Sequence, residues 1–213
     1  MQLVIFDFDG TILDTREAIV YAKQKSMEEL GLEIMDEEAC AETIGLSSKL
    51  AFQRMYPGLS EDMIDKCVSS YRKYFEEAKD KKPPLLFPGV SDTLKEMKRR
   101  DIILTIATSR NKRSLSAFLL KNEISAYFSY LLGAEDTELL KPNPDPVLKT
   151  LSDMGIDKKD ALVVGDMPYD ILMGKNAGVL TCGVSYGNSS VDKLRNAGAD
   201  FIVNGFWEIL EII

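Results

Sequence analysis

The chain has 213 residues, of which 45% are hydrophobic and 28% charged, a globular composition long enough for a sizeable core. Its 26 basic and 34 acidic residues give a formal net charge of -8, which speaks against a nucleic-acid surface or an acidic membrane face. It contains no histidine, so a Ser-His-Asp triad, a histidine base and a histidine-ligated zinc are excluded, and proton transfer falls to carboxylates, lysine, tyrosine or cysteine.

In chain order, the first element is a strand at "LVIF" (3–6), running straight into "DFDGT" (7–11). A helix-rich stretch follows from 16 to 83, with "REAIVYAKQKSMEELG", "DEEACAETIG", "SSKLAFQRMY" and "SEDMIDKCVSSYRKYFEEAKD" as its helices and no strand between them. It ends at "KKPPLLFPG", where three prolines and a glycine mark a linker. From there strands alternate with helices. The strands are 102–107, 129–133, 161–165, 179–184 and 200–203; the helices are 91–100, 112–122, 144–155, 170–178 and 190–198, several ending in Gly or Asn. The strands are short apolar runs, as in a sheet covered on both faces. The expected fold is therefore α/β, a doubly wound parallel sheet with a Rossmann-like core formed by 1–15 and 84–213, and 16–83 as an inserted helical cap. No segment approaches a membrane span, and the three scattered cysteines, Cys40, Cys67 and Cys182, read as reduced thiols of a cytoplasmic protein.

Four positions carry chemistry, each at the end of a strand. Asp7 and Asp9, two apart on a strand, place like charges on one side. They make either an Asp-Gly turn or a hard-cation site in which Mg2+ compensates the pair. Thr108 and Ser109 follow the 102–107 strand and read as a helix N-cap or as hydroxyl donors. Lys141 in "LLKPNPD" is a solvated loop lysine or a cation set beside a phosphate. Asp166 and Asp170 in "GDMPYD" are first-turn acids of a helix or metal ligands. In a doubly wound sheet the carboxyl ends of the strands gather along one edge, where ligands bind. The five residues Asp7, Asp9, Thr108, Lys141 and Asp166 then supply a metal site, a hydroxyl and a cation around one phosphate, the equipment of phosphoryl transfer.

The four motifs, in this order and approximate spacing, resemble those of the haloacid dehalogenase-like hydrolase superfamily, and the resemblance spans the entire chain. "DGTILDT" and "IGLSSKLAF" look like its phosphoglycolate phosphatase and β-phosphoglucomutase branch, and the insertion looks like the small helical cap of that branch. The resemblance implies a Mg2+-dependent phosphatase acting on a small organic phosphomonoester through an aspartyl-phosphate. It implies Asp7 as nucleophile, and Asp9 as the group that protonates the leaving group, activates water and lends its backbone carbonyl to Mg2+. Thr108, with Ser109 beside it, donates to the phosphate; Lys141 neutralises charge on phosphate and nucleophile; Asp166 ligates Mg2+, and Asp170 supports the metal site directly, through water or through Lys141. Arg16, Gly45, Ser47, Ser48 and Lys49 are the candidate specificity residues of the cap. Dehalogenase members lack the second aspartate, so Asp9 favours a phosphate substrate. Pyrophosphate hydrolysis and sugar-phosphate hydrolysis or mutation are the alternatives, the mutase last because that branch commonly has a histidine soon after its first motif. A phospho-acceptor receiver domain would carry its aspartate mid-chain after the third strand, in about 120 residues. The partner expected is a small phosphorylated metabolite, neither nucleic acid nor membrane, with the chain a monomer or homodimer.

Overall fold

The computed structural model describes residues 1–213. Strand β1 (Leu3–Phe6) is fully buried and supplies both faces of the sheet. Leu3 and Ile5 join one apolar cluster while Val4 and Phe6 join the other, because alternate side chains of a strand point to opposite faces. A two-residue strand, β2 (Leu13–Asp14), precedes four helices, α1 (Arg16–Glu29), α2 (Glu37–Ala41), α3 (Ser48–Met55) and α4 (Glu61–Lys81). Strand β3 (Leu85–Leu86) then returns to pair antiparallel with β2, Leu13 opposite Leu86 and Asp14 opposite Leu85. The expected linker at 81–89 thus holds a strand, and the two crossings between the sheet and the helical segment are fastened side by side.

The remainder alternates: α5 (Val90–Arg99), β4 (Ile103–Ala107), α6 (Lys112–Lys121), β5 (Tyr130–Leu132), α7 (Asp145–Met154), β6 (Ala161–Gly165), α8 (Pro168–Ala177), β7 (Leu180–Val184), α9 (Val191–Asn196) and β8 (Phe201–Val203). The six long-range strands form one parallel sheet in the order β5-β4-β1-β6-β7-β8. The expected doubly wound α/β fold is what the chain adopts. From β1 the chain builds outward to β4 and β5, then returns to β6 and continues the other way. The reversal lies beside β1, so ligands are expected at the carboxyl end of β1.

Two layers of helices explain why these strands are apolar throughout. On one face Val147 and Leu151 of α7 and Met173 and Ala177 of α8 cover Leu3, Ile5 and Val163. On the other, Leu94 and Met97 of α5 and Leu115 and Phe118 of α6 cover Val4, Phe6 and Leu104, and that cluster continues into the helical segment through Phe52, Ile64 and Phe75. An aromatic series, Phe8 to Phe118 at 6.2 Å and Phe118 to Phe75 at 6.3 Å, marks where sheet helix and α4 meet. Helix ends follow local chemistry: Ser47, Ser60 and Asn111 accept backbone N–H bonds at the starts of α3, α4 and α6, and Gly155 and Gly178 close α7 and α8 in the left-handed conformation. No helix is long and apolar enough to cross a membrane.

Candidate active site

The carboxyl end of β1 delivers Asp7, whose backbone N–H still bonds to Val164 of β6 at 2.8 Å, so the ladder itself fixes where the side chain starts. Asp7 is buried, and its Oδ1 accepts from Lys141 Nζ at 2.5 Å. The same ammonium donates to Asp170 Oδ1 at 2.8 Å, while Asp170 Oδ2 accepts from the Met167 N–H at 3.0 Å. Asp170, in the first turn of α8, is thereby locked between its own helix start and Lys141. Asp166, just past β6, is held on three sides: Asn188 donates its backbone N–H (2.7 Å) and side-chain amide (2.8 Å) to Oδ2, and Thr11 donates to Oδ1 at 3.3 Å. Gly187 permits this approach, since a Cβ there would lie 2.2 Å from Asp166 Cβ and 2.6 Å from the Gly10 carbonyl.

Oxygens of Asp7, Asp166 and Asp170 lie within 4.8 Å of one another, all three buried. Lys141 alone does not balance three carboxylates, and the remaining charge acts on them. Burial raises the Asp7 carboxyl well above the usual range; Lys141 opposes the rise, whereas Asp170 and Asp166 add to it. Burial and Asp170 push Asp166 up to about 7 against the Asn188 hydrogen bonds and Lys141. For Lys141 burial works the other way, but Asp170 and Asp7 outweigh it and hold the ammonium above its ordinary value. Asp7 Oδ2 is buried without a hydrogen-bond partner. An orphaned carboxylate oxygen beside two further carboxylates is the donor set of a small hard cation, and Mg2+ fits it.

The Asp9 side chain lies outside this cluster. Its carboxylate turns away from the cluster to Arg110, accepting from Nη2 at 2.5 Å and Nε at 3.0 Å, and only its backbone is left to take part in metal binding. The guanidinium lies 4.7 Å from the Phe75 ring centre and 5.0 Å from that of Phe118, between α4 and α6. The contact engages both carboxylate oxygens of Asp9, so the proton transfer expected of it requires it to leave Arg110. Thr108 is buried at the end of β4, and its Oγ1 accepts from the Arg110 N–H at 3.2 Å. Neither Thr108 nor Ser109 caps α6; Asn111 does. Ser109 instead gives its hydroxyl to the Gly45 carbonyl at 2.6 Å, a bond from sheet edge to helical segment.

A cavity of about 970 Å3 opens in front of Asp7, Asp9 and Thr108, with Gly45, Ser47, Ser48 and Lys49 on its opposite wall. Lys49 pairs there with Glu61 at 2.5 Å and Asp65 at 3.7 Å, and Ser47 receives the Leu50 N–H. Arg16 is not on the wall. As the first residue of α1 it donates to Glu38 (3.1 Å) and to Asn188 (3.5 Å), the residue that holds Asp166. Lys141, Asp166 and Asp170 stand behind Asp7, outside the lining. The sequence reading did not single out Arg110, Asn188 or Thr11. Arg110 and Asn188 follow the ends of β4 and β7, so their place on the ligand-binding edge was the available signal.

Residues 4–184 match the haloacid dehalogenase-like hydrolase family. The chain is 35% identical over 98% of its length to the "probable phosphatase IndB" of Dickeya dadantii, covering 91% of that protein. It is 30% identical to the pyrophosphatase PpaX of Halalkalibacterium halodurans, covering all of this chain and 97% of the relative. With a phosphoglycolate phosphatase of Photorhabdus laumondii the identity is 27%, over 100% and 92% of the two chains. Among solved structures, a haloacid dehalogenase-like family hydrolase of Streptococcus pneumoniae superposes with a TM-score of 0.86 at 25% identity, covering 100% of this chain and 98% of that one. With its sheet, its strand-end acids and these relatives, the chain belongs to the haloacid dehalogenase-like hydrolases and sits among the family's phosphatases.

Proposed function

We propose that the protein hydrolyses a small organic phosphomonoester of the phosphoglycolate kind, with Mg2+, through an aspartyl-phosphate on Asp7. The observation that carries this reading is the state of Asp7: one oxygen fixed by Lys141, the other without a partner, at a strand end that opens into the cavity. Asp7, Asp166 and Asp170 are the side chains that would hold Mg2+, with the Asp9 carbonyl. Bound there, the ion supplies positive charge to the nucleophile and to the phosphoryl oxygens.

The residues of the chain do the rest. Thr108 donates its hydroxyl to a phosphoryl oxygen, and Lys141 holds Asp7 in line and offsets charge on the group being transferred. An Asp7 carboxylate oxygen attacks phosphorus as the bond to the leaving oxygen breaks, and Asp9 delivers a proton to that oxygen. Asp9 must first leave Arg110 and take up a proton from solvent, which the attacking water later restores, so release of Asp9 is tied to substrate entry. A water then attacks the same phosphorus while Asp9 takes its proton; inorganic phosphate leaves and the Asp7 carboxylate is restored. The cavity volume suits a small molecule, and the Ser109–Gly45 bond keeps the helical segment over it.

A pyrophosphate substrate is the second reading, favoured by the 30% identity to PpaX. The test is Mg2+-dependent phosphate release from p-nitrophenyl phosphate, phosphoglycolate, pyrophosphate and hexose phosphates. Turnover that vanishes in Asp7→Asn supports the reading; full turnover in that variant, or none with any ester in the parent protein, sinks it.

A further inference from the structure

The wall of the cavity opposite the phosphate site contains a lysine for which the reaction has no use. Lys23, in the middle of α1, is 3% exposed yet borders the cavity. Its ammonium donates to the Cys40 carbonyl at 2.8 Å and to Thr43 Oγ1 at 2.7 Å, both neutral, and no carboxylate pairs with it. An ammonium has three N–H groups, so one is left over. Of the other cations lining the cavity, Arg72 and Arg113 are exposed to water and Arg110 pairs with Asp9. Lys49 is balanced by Glu61 and Asp65, and Lys79 by Glu76.

We propose that Lys23 is the specificity residue through which the helical cap selects a substrate with a second anionic group, a carboxylate or a phosphate, on the leaving-group side. The inference rests on the phosphatase reading above and names the class of substrate for that site.

An ammonium out of water is costly unless an anion offsets it, and two neutral acceptors do not. Burial accordingly draws Lys23 down to about 7, with only the Cys40 thiol acting against the fall. A negative group entering the cavity removes that cost, whereas a neutral leaving group of the same size leaves it in place. Specificity thus follows from differential binding. The route from Lys23 to the phosphate site is short in the chain. Thr43, which accepts from Lys23, is two residues from Gly45, whose carbonyl holds Ser109, and Ser109 adjoins Thr108. In a protein of net charge -8 such a local cation is what an anionic metabolite needs.

The test compares kcat/KM for phosphoglycolate, pyrophosphate and the neutral-tailed p-nitrophenyl phosphate in the parent protein, Lys23→Met and Lys23→Gln. Methionine keeps the length of the side chain without charge; glutamine keeps a donor without charge. The expected result is a fall of at least about tenfold in the ratio of kcat/KM for the preferred anionic substrate to that for p-nitrophenyl phosphate, in both variants. Whichever of the two anionic substrates shows the larger fall identifies the group that Lys23 meets. An unchanged ratio, or equal losses on all substrates, overturns the proposal and assigns Lys23 to structure alone. A second arm separates this outcome from failure of the phosphatase reading. In the Asp7→Asn background, calorimetry measures binding of phosphoglycolate, pyrophosphate and inorganic phosphate with and without Lys23→Gln. Selective weakening of one tailed ligand by at least about tenfold supports the role of Lys23 even if no ester is turned over; uniform weakening, or none, refutes it.

Discussion

Adding Mg2+ to the protein should raise its melting temperature by an amount set by the acid cluster. Three buried carboxylates face one ammonium, so two negative charges are in excess when all are ionised, and Asp7 Oδ2 has no donor. A cation that binds the folded chain and not the unfolded one stabilises it by about 2.7 kcal/mol at a hundred times its dissociation constant. In a chain of this length about 1 kcal/mol moves the midpoint by roughly 2–4 °C, so the expected rise is about 5–11 °C. The assay is calorimetry or dye-monitored melting, titrating MgCl2 against NaCl of matched ionic strength, so that screening at exposed carboxylates cancels. Asp166→Asn removes one of the three carboxylates and should lose most of the rise. A parent protein whose midpoint ignores Mg2+, or a variant that responds as strongly as the parent, would refute the assignment of the cluster as a cation site.

Arg110→Met should destabilise the protein by about 3 kcal/mol, because it strands the Asp9 carboxylate and removes the cation from between Phe75 and Phe118. In urea titrations the Asp9→Asn, Arg110→Met double variant should recover more than half of that loss, and strictly additive effects would show that the pair is not coupled. Gly187→Ala should fold but displace Asp166, raising the Mg2+ concentration for half-maximal effect by about tenfold or more, measured by the same melting titration. Lys23 gives a pH dependence with a definite sign. Folded, it titrates near 7; unfolded, near its ordinary 10.5. Below pH 7 both states are protonated and the burial cost is constant. Between about 7 and 10.5 the unfolded chain binds the extra proton, so stability rises with pH by up to about 1.4 kcal/mol per unit relative to Lys23→Met. Parallel denaturation curves for the two proteins across that window would contradict it.

The sheet is legible in the sequence because its six strands are separate short apolar runs, most of them with β-branched residues, and the inner strands, covered on both faces, have little polar alternation to obscure them. The helix ends at Gly155 and Gly178 are legible for a local reason, the left-handed closing residue. The ribbon of β2 and β3 is not, because two residues carry no period and the prolines around Leu85–Leu86 read as linker. At the site, the residues standing directly at strand ends are placed by topology alone, and Asp7, Asp166 and Asp170 do come together there with Lys141. Direction of a side chain is a different matter. Asp9 and Asp7 are two apart and border one cavity, yet a partner more than a hundred residues away holds the Asp9 carboxylate apart from the acid cluster. Arg16, half-buried at the start of its helix, is drawn to Glu38 and Asn188 rather than to the cavity lining. Lys23 sits among "YAKQK", where periodicity suggests a solvated cation, and only the packing of α2 over α1 buries it.

The loop from Thr43 to Ser47 joins the proposed recognition residue to the edge of the acid site. Thr43 accepts from Lys23 on the cavity wall. Gly45, with φ +89 and Met167 side-chain atoms 3.4 Å from where its Cβ would stand, presents its carbonyl to Ser109 across the cavity mouth. The neighbouring Glu42 repeats the pattern with its carbonyl on the Tyr169 hydroxyl at 3.2 Å and its carboxylate on Lys193 at 2.7 Å. Tyr169 is in the first turn of α8, directly before Asp170, so the helix that carries a cluster carboxylate also receives the latch. A ligand that draws on Lys23 therefore pulls on the segment that docks beside the acids, and its binding energy is available for alignment at Asp7 as well as for affinity. A substrate without an anionic tail would find the same acids, the same Lys141 and the same Thr108, but without that coupling. On this arrangement the tail is expected to affect kcat as well as KM, to the extent that closing the loop sharpens the geometry at phosphorus.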